Sequence, residues 1–317
     1  MNITILGAGA MGSLFGGLLA QSGQQVTLLD INDGHLAAIR SDGLLLATDS
    51  GERRITGLHA CRPEQATGHP DLLLVFTKTL HTDSALRSVA GHIAGHTLVL
   101  TLQNGLGNAE ALSRHVAPQQ VLIGMTNWPA DMVGPGQVHS HGQGMVRVLA
   151  PGSRERNASQ EVAAVLDAAG LNCAVDPQVW TSIWEKVAFN AALNSLCAVT
   201  GCTVGQLDAA PEGVALARSI VLEVVAVARS QGIELDAQGC LDSVAFAIAH
   251  HRTHKPSMLQ DVLAGRPTEI GSINGQVLER ARQAGVPVPH TETLLGLLRL
   301  IETVSYTHLR AHETPEH

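Results

Sequence analysis

The sequence predicts an α/β protein in which a doubly wound parallel sheet is followed by an all-helical second half. Short apolar runs that resemble buried strands alternate with helical patterns from residue 1 to Pro177. After Pro177 the strand signals stop, and longer patterns of helical periodicity replace them. We therefore expect a sheet domain over residues 1–178 and a helical domain over residues 179–303.

The first element, Met1-Asn2-Ile3-Thr4-Ile5-Leu6, has the pattern of a short buried strand, and an apolar helical run begins at Leu14. Between them lies a GxGxxG motif in the context that a Rossmann-type dinucleotide site requires. Its residues are Gly7, Ala8, Gly9, Ala10, Met11 and Gly12. The first glycine permits a tight turn, the second lets a pyrophosphate approach the backbone, and the third lets helix and strand pack closely. The alternative is a glycine-rich structural turn.

The second strand, over residues 25–29, ends at Asp30, where a Rossmann fold usually carries the acid that binds the adenosine ribose 2′-hydroxyl. A carboxylate at this position would repel a 2′-phosphate. Asp30 therefore favours NAD over NADP, unless it merely caps the following helix.

Two later strands, over residues 71–76 and 97–102, end at polar residues. Because ligands bind at the carboxyl ends of parallel strands, Lys78 and Asn104 are candidate site residues. We expect three further strands to extend this sheet and a fourth to close it. They span residues 121–124, 136–139, 146–149 and 171–175.

The second half is predicted to contain long helices, with a polar stripe on the first of them. The helices span residues 180–199, 213–231, 241–251, 269–284 and 291–303. Lys186, Asn190 and Asn194 are spaced by four in an otherwise apolar run, so they share one face of a helix. That face lines either a cleft or the solvent. Residues 304–317 lose the apolar periodicity, and we interpret them as a non-native tail.

Composition excludes several classes of function. A net charge of −8 and 3% aromatic residues do not suit nucleic-acid binding. Five scattered cysteines predict neither disulfides nor a zinc site, and the chain shows no signal peptide or apolar run that could span a bilayer. We expect a soluble cytoplasmic protein without a nucleic-acid or membrane partner.

The 16 histidines raise the question of a metal site. His250 and His254 are four apart, and His139 and His141 are two apart, but no HExxH motif accompanies them. No GxSxG elbow of a serine hydrolase and no P-loop occurs either. We expect no native metal site.

Taken in order, the motifs resemble those of the ketopantoate reductases (2-dehydropantoate 2-reductases), and the resemblance spans nearly the whole chain. It rests on residues 7–12, 102–107, 184–186 with Asn190 and Asn194, 255–261, 266–270 and 273–275. The resemblance implies a Rossmann domain, a helical domain, a 2-keto acid substrate and a homodimer.

The resemblance also implies roles for individual residues. Lys186 matches the catalytic lysine, a general acid, and Glu269 matches a glutamate that binds a substrate hydroxyl and influences the lysine. The remaining matches are Ser257 for the substrate carboxylate, Asn190 and Asn194 for substrate contacts, and Asn104 and Lys78 for the junction of cofactor and substrate. From the residues alone, Glu269 could instead be an ordinary helix-start glutamate, and Ser257 a helix N-cap.

The sequence departs from the family pattern at two places. Members that prefer NADP commonly carry a basic residue where this chain has Asp30, and His254 stands where well-known members have an asparagine. Asp30, Trp128 and residues 134–136 also resemble a branch of NAD-dependent D-2-hydroxyacid dehydrogenases of the D-mandelate type. The cofactor implied is NADP(H) by family default, or NAD(H) by Asp30.

The expected function is therefore NAD(P)H-dependent reduction of 2-dehydropantoate to pantoate, in pantothenate biosynthesis. One alternative is an NAD-dependent D-2-hydroxyacid dehydrogenase acting on a branched or aromatic 2-keto acid. Another is a regulatory protein that senses the dinucleotide without turnover. A sensor would need the glycines but neither Lys186 nor Glu269.

Overall fold

The computed structural model describes residues 1–151 and 157–312, without the side chains of residues 305–312. Most of the predicted tail at 304–317 lies outside the described side chains, and residues 313–317 lie outside the described structure altogether. The chain forms two compact units. We call Met1–Gln103 with Gly107–Val179 the sheet unit, and Asn104–Leu106 with Trp180–His317 the helical unit.

The sheet unit has the predicted α/β architecture. Its strands are β1 (Asn2–Leu6), β2 (Gln25–Leu29), β3 (Leu44–Thr48), β4 (Gly51–Ile55), β5 (His59–Cys61), β6 (Leu72–Val75), β7 (Leu98–Thr101), β8 (Val121–Thr126), β9 (Asp131–Gly134), β10 (Gln137–Ser140), β11 (Val146–Leu149) and β12 (Cys173–Val175). Its helices are α1 (Ala10–Gln21), α2 (Asp33–Asp42), α3 (Thr82–Ser88), α4 (Asn108–Ser113) and α5 (Asn157–Ala168).

Eight strands form the main sheet, in the order β12-β11-β8-β7-β6-β1-β2-β5. Strands β8, β7, β6, β1, β2 and β5 run parallel, and β11 pairs antiparallel with β8. Ile3, Ile5 and Leu28 are fully buried, as expected for strands covered on both faces. Because β1 lies between β2 and β6, the strand order reverses there, and the loops after β1 and β6 meet at the edge where ligands bind.

One predicted strand belongs to a different sheet. We expected residues 136–139 to extend the main sheet, but β10 lies in a second sheet of order β4-β3-β10-β9. It pairs in parallel with β3, and Leu46 and Val138 at the paired positions are both buried. Strands β3, β4, β5 and β9 were not predicted. Alternation of apolar residues identifies a strand with one buried face but does not identify its partner strand.

The helical unit contains most of the second half of the chain. Its helices are α6 (Val179–Thr200), α7 (Pro211–Ser230), α8 (Ala237–His250), α9 (Ser257–Leu263), α10 (Gln276–Ala284) and α11 (Pro289–His312). Helix α6 lies in the core, where Ala188, Ala191 and Ala192 are fully buried. The predicted helix over residues 269–284 begins later than expected: Glu269 lies in a bend, and a π-helical turn over Gly271–Gly275 leads into α10.

Among the residues that the structure describes, no helix combines the length and apolar character needed to cross a membrane.

Candidate active site

The GxGxxG segment forms the loop between β1 and α1, and two of its glycines are sterically required. Gly7 has φ of 100°, and a Cβ there would lie 2.6 Å from the Thr77 amide nitrogen. A Cβ at Gly12 would lie 2.0 Å from the Gly7 carbonyl oxygen. Both positions exclude any side chain, so they fix the course of the loop.

The middle glycine is different, because it borders open space. Gly9 is exposed, and no atom lies within 4 Å of the position that its Cβ would take. It is the N-cap of α1, where no side chain accepts a hydrogen bond from the first turn. First-turn N–H groups have no partner within the helix and favour an anion. The loop therefore fits a dinucleotide pyrophosphate. Of the other motif residues, Ala8 is buried and Ala10 and Met11 are half-buried.

Asp30 follows β2, and its side chain is held by backbone groups. Its Oδ1 accepts hydrogen bonds from the amides of Ile31 at 2.8 Å and Asn32 at 2.9 Å. The cap of α2 is Asn32, whose side chain accepts from the His35 amide at 3.1 Å. The interpretation of Asp30 as a helix cap is thus wrong. Asp30 is half-buried, and a carboxylate at the end of the second strand can accept a hydrogen bond from a ribose hydroxyl.

Lys78 follows β6 and is half-buried. The segment that carries it is fixed by Gln103, which was not predicted as a site residue. The Gln103 amide nitrogen donates to the Thr77 carbonyl oxygen at 2.6 Å and to Thr82 Oγ1 at 2.8 Å. Gln103 thereby ties the carboxyl end of β7 to that of β6. Its position directly after a predicted strand was the available signal.

Lys186 lies on α6 and is half-buried. Burial lowers the pKa of its ammonium group to about 8, and the nearby Glu269 carboxylate partly opposes that shift. A desolvated ammonium gives up its proton more readily than a lysine in water. Lys186 is therefore suited to general acid chemistry near neutral pH.

The two asparagines of the stripe are buried on the same helix. Asn190 is 9% exposed and Asn194 is 6% exposed. Because both residues are buried, the interpretation of these amides as part of a solvated face is wrong. Buried amides need hydrogen-bond partners, and a polar ligand can supply them.

Asn104 contacts Glu269, although the two residues are 165 positions apart in the sequence. Asn104 belongs to the helical unit, and its Nδ2 donates to Glu269 Oε2 at 2.9 Å. Both side chains are half-buried. Lys186, Glu269 and Asn104 thus form one cluster, which we call the lysine cluster.

The π-helical turn that follows Glu269 holds the segments of the lysine cluster together. Its Ser272 carbonyl oxygen accepts from the Leu106 amide at 2.8 Å, and a Cβ on Gly105 would lie 2.2 Å from that same oxygen. The fully buried Asn274 donates through Nδ2 to the Ala191 carbonyl oxygen of α6 at 3.2 Å. The turn therefore connects all three segments of the cluster. Gly105, Ser272 and Asn274 were not predicted as site residues, although Gly105 and Asn274 lie within motifs that carry the family resemblance.

Ser257 and His254 are exposed. Ser257 is the first residue of α9, and the cap position belongs to Pro256, so Ser257 is not the N-cap. Its predicted role stays a prediction.

Histidine pairs do not form a larger ligand cluster in the described residues. His139 and His141 contact each other, with ring centroids 3.7 Å apart, while α8 ends at His250 before reaching His254. Within residues 1–151 and 157–312, no group of three or more histidine, cysteine, aspartate or glutamate side chains could hold a metal ion.

The chain matches known proteins over both units. Residues 3–150 match the family described as "Ketopantoate reductase PanE/ApbA", and residues 178–302 match "Ketopantoate reductase PanE/ApbA C terminal". The 2-dehydropantoate 2-reductase of Streptococcus pyogenes serotype M6 is 33% identical over 305 residues, covering 96% of this chain and 99% of the relative. That of Halobacterium salinarum is 34% identical over 306 residues, covering 95% and 99%.

A solved structure is similar over the same length. The ternary structure of D-mandelate dehydrogenase with NADH and anilino(oxo)acetate matches with a TM-score of 0.92 at 31% identity, covering 96% of this chain and 100% of the other. The family matches cover the segments that form the glycine loop and the lysine cluster. The chain belongs to the ketopantoate reductase family.

Proposed function

We propose that the protein is a pyridine-nucleotide oxidoreductase that reduces a 2-keto acid, and that its substrate is 2-dehydropantoate. The observation that carries this proposal is the lysine cluster, in which a half-buried lysine of lowered pKa lies near a glutamate held by Asn104. Relatives at about 33% identity that bear the name 2-dehydropantoate 2-reductase support the choice of substrate.

The reaction needs a hydride at the carbonyl carbon and a proton at the carbonyl oxygen. The reduced dinucleotide supplies the hydride when bound. Lys186 stabilises the negative charge that develops on the keto oxygen and donates the proton that makes the product hydroxyl. Its pKa of about 8 makes it a stronger acid than an ordinary lysine while leaving it protonated at neutral pH.

The neighbouring residues bind and orient the substrate in this proposal. Glu269 accepts a hydrogen bond from a substrate hydroxyl, and its orientation is kept by the amide of Asn104. Asn190 and Asn194 offer amides from the same helix as Lys186, and Ser257 contributes to binding the substrate carboxylate. The sheet unit serves as the cofactor domain, through residues 7–12, Asp30 and Lys78, and the helical unit as the catalytic domain.

We assign the cofactor as NADH. The Asp30 carboxylate, held by two backbone amides, would bind a ribose 2′-hydroxyl and repel a 2′-phosphate. Titration of the protein with each dinucleotide should show that NADH binds more tightly than NADPH. In Asp30→Ala the two dissociation constants should lie closer together. Tighter binding of NADPH by the unmodified protein would contradict the assignment.

An NAD-dependent D-2-hydroxyacid dehydrogenase is the second candidate. It is favoured by the match to D-mandelate dehydrogenase, whose structure holds NADH and anilino(oxo)acetate. It uses the same lysine chemistry and differs in the group attached to the 2-keto acid.

An assay of NADH oxidation with a panel of 2-keto acids tests both candidates. The panel contains 2-dehydropantoate, a branched-chain 2-keto acid and phenylglyoxylate. The highest kcat/KM should belong to 2-dehydropantoate, and a higher value for phenylglyoxylate would select the second candidate. Binding of NADH without turnover of any 2-keto acid would contradict both and favour a dinucleotide sensor. Light scattering of the same sample tests the predicted homodimer.

A further inference from the structure

A buried histidine lies behind the glycine loop of the sheet unit and has no part in the proposed chemistry. His35, in α2, is 1% exposed, and both of its ring nitrogens are in hydrogen-bonding contact. Its Nδ1 accepts from the Gly136 amide at 3.0 Å, and its Nε2 lies 3.0 Å from Ser13 Oγ. Ser13, fully buried in α1, donates from Oγ to the Ala8 carbonyl oxygen at 2.8 Å.

These partners determine the protonation state of the ring. The Gly136 amide can only donate, so Nδ1 must be the unprotonated nitrogen of a neutral imidazole. Nε2 then carries the proton and donates to Ser13 Oγ, whose own proton goes to Ala8. Every donor in this chain of three hydrogen bonds has an acceptor. A protonated ring would direct an Nδ1–H at the Gly136 N–H and lose that bond.

The chain of hydrogen bonds ends on the loop that would bind the cofactor. Ala8 lies between Gly7 and Gly9, and its carbonyl oxygen is fixed by Ser13 at the base of the first turn of α1. The orientation of the Ala8–Gly9 peptide therefore depends on Ser13, and through Ser13 on His35. We propose that neutral His35 is a positioning residue for the dinucleotide site, and that its protonation weakens dinucleotide binding. This inference rests on the proposed use of a dinucleotide.

Burial and a neighbouring charge have opposite effects on the pKa of His35. Burial lowers the pKa of His35, while the Asp30 carboxylate at the end of β2 opposes the shift. Asp33, on the same helix, is engaged by Arg62 at 2.6 Å. The proposed site needs the neutral ring. Affinity for the dinucleotide should therefore be at its maximum above the ordinary histidine pKa of about 6.5, and it should fall as the pH drops through the lowered pKa of His35.

The test measures the dissociation constant of NADH by fluorescence between neutral and acidic pH, for the wild type and three variants. His35→Gln supplies an amide oxygen for the Gly136 amide and an N–H for Ser13, and it cannot titrate. It should bind NADH within about twofold of the wild type at neutral pH and should lose the acid-induced weakening. His35→Leu should weaken binding about fivefold or more at all pH values, the low end of typical coupling between sites.

His92→Gln is the matched control, since His92 is also buried in the sheet unit and has a lowered pKa, but contacts Thr4. It should keep the wild-type pH profile. Circular dichroism at each pH verifies that every variant is folded. The inference is overturned if folded His35→Gln keeps the wild-type acid weakening, or if folded His35→Leu binds NADH as tightly as the wild type. Failure of the wild type to bind either dinucleotide at neutral pH would instead contradict the proposed function.

Discussion

The glycine loop of the sheet unit and the lysine cluster of the helical unit prepare their sites in different ways. The glycine loop is one run of six residues, and its shape depends on which positions exclude a Cβ. The lysine cluster gathers Asn104, Lys186 and Glu269 from three segments, joined through a π-helical turn. A backbone site can thus be encoded locally, whereas a side-chain site of this kind depends on long-range packing.

The two regions also differ in electrostatics. Backbone amides and a neutral imidazole shape the glycine loop, so a bound anion would meet fixed dipoles there. In the lysine cluster, burial of an ammonium changes its acidity. Substitutions should therefore separate binding in the first region from chemistry in the second.

The largest effect is expected from Lys186→Ala, which removes the proposed acid. Its kcat for 2-keto acid reduction should fall by about 10² to 10⁴, the usual contribution of general acid catalysis, while NADH binding stays within a few-fold. Turnover within a few-fold of wild type would exclude Lys186 as the acid.

The pH profile sharpens this test. The proposed reduction requires protonated Lys186, so at saturating NADH the kcat/KM for the 2-keto acid should be constant below about pH 8 and fall as the pH rises above the pKa of about 8. Lys186→Arg keeps a positive charge that does not titrate in this range. Any activity that this variant retains should therefore lack the decline near pH 8.

An intermediate effect is expected from Gly105→Ala. Gly105 has φ of 85°, and a Cβ would lie 2.2 Å from the Ser272 carbonyl oxygen, so the π-helical turn beneath Glu269 must shift. Because small misplacements of positioning groups cost up to about 100-fold, kcat should fall about tenfold or more. The control is Gly296→Ala on α11, where no atom lies within 4 Å of the added Cβ and activity should be unchanged. Equal activity of the two variants would show that the turn does not position the cluster.

The smallest effect is expected from Gly9→Ala, and it should be confined to binding. No atom lies within 4 Å of the added methyl group, so the melting temperature should stay close to that of the wild type. Affinity for NADH should nevertheless fall about tenfold, because the methyl group would occupy the space proposed for the pyrophosphate. Gly12→Ala, whose Cβ would lie 2.0 Å from the Gly7 oxygen, should lower the melting temperature as well. Unchanged NADH affinity in Gly9→Ala would contradict the position assigned to the pyrophosphate.

Local patterns in the sequence predicted much of the architecture. The strand β2 begins and ends at the predicted residues, and α6 extends one residue beyond the prediction at each end. These predictions succeeded because the period of an apolar run depends only on the element that contains it. The second sheet was not predicted, since pairing β10 with β3 joins residues about ninety positions apart. The start of the helix after Glu269 was also mispredicted, because a π-helical turn has no strong signature in the sequence.

The sequence by itself determined the glycine loop, the acid after β2 and the helix that carries Lys186, Asn190 and Asn194. The residues of each lie close together in the sequence, so a local pattern is enough to reveal them. Only the tertiary structure decided that Asn104 binds Glu269, that Asn274 ties the π-helical turn to α6, and that His35 is neutral. Those properties arise from burial and from partners far away in the chain, and the spacing of residues encodes neither.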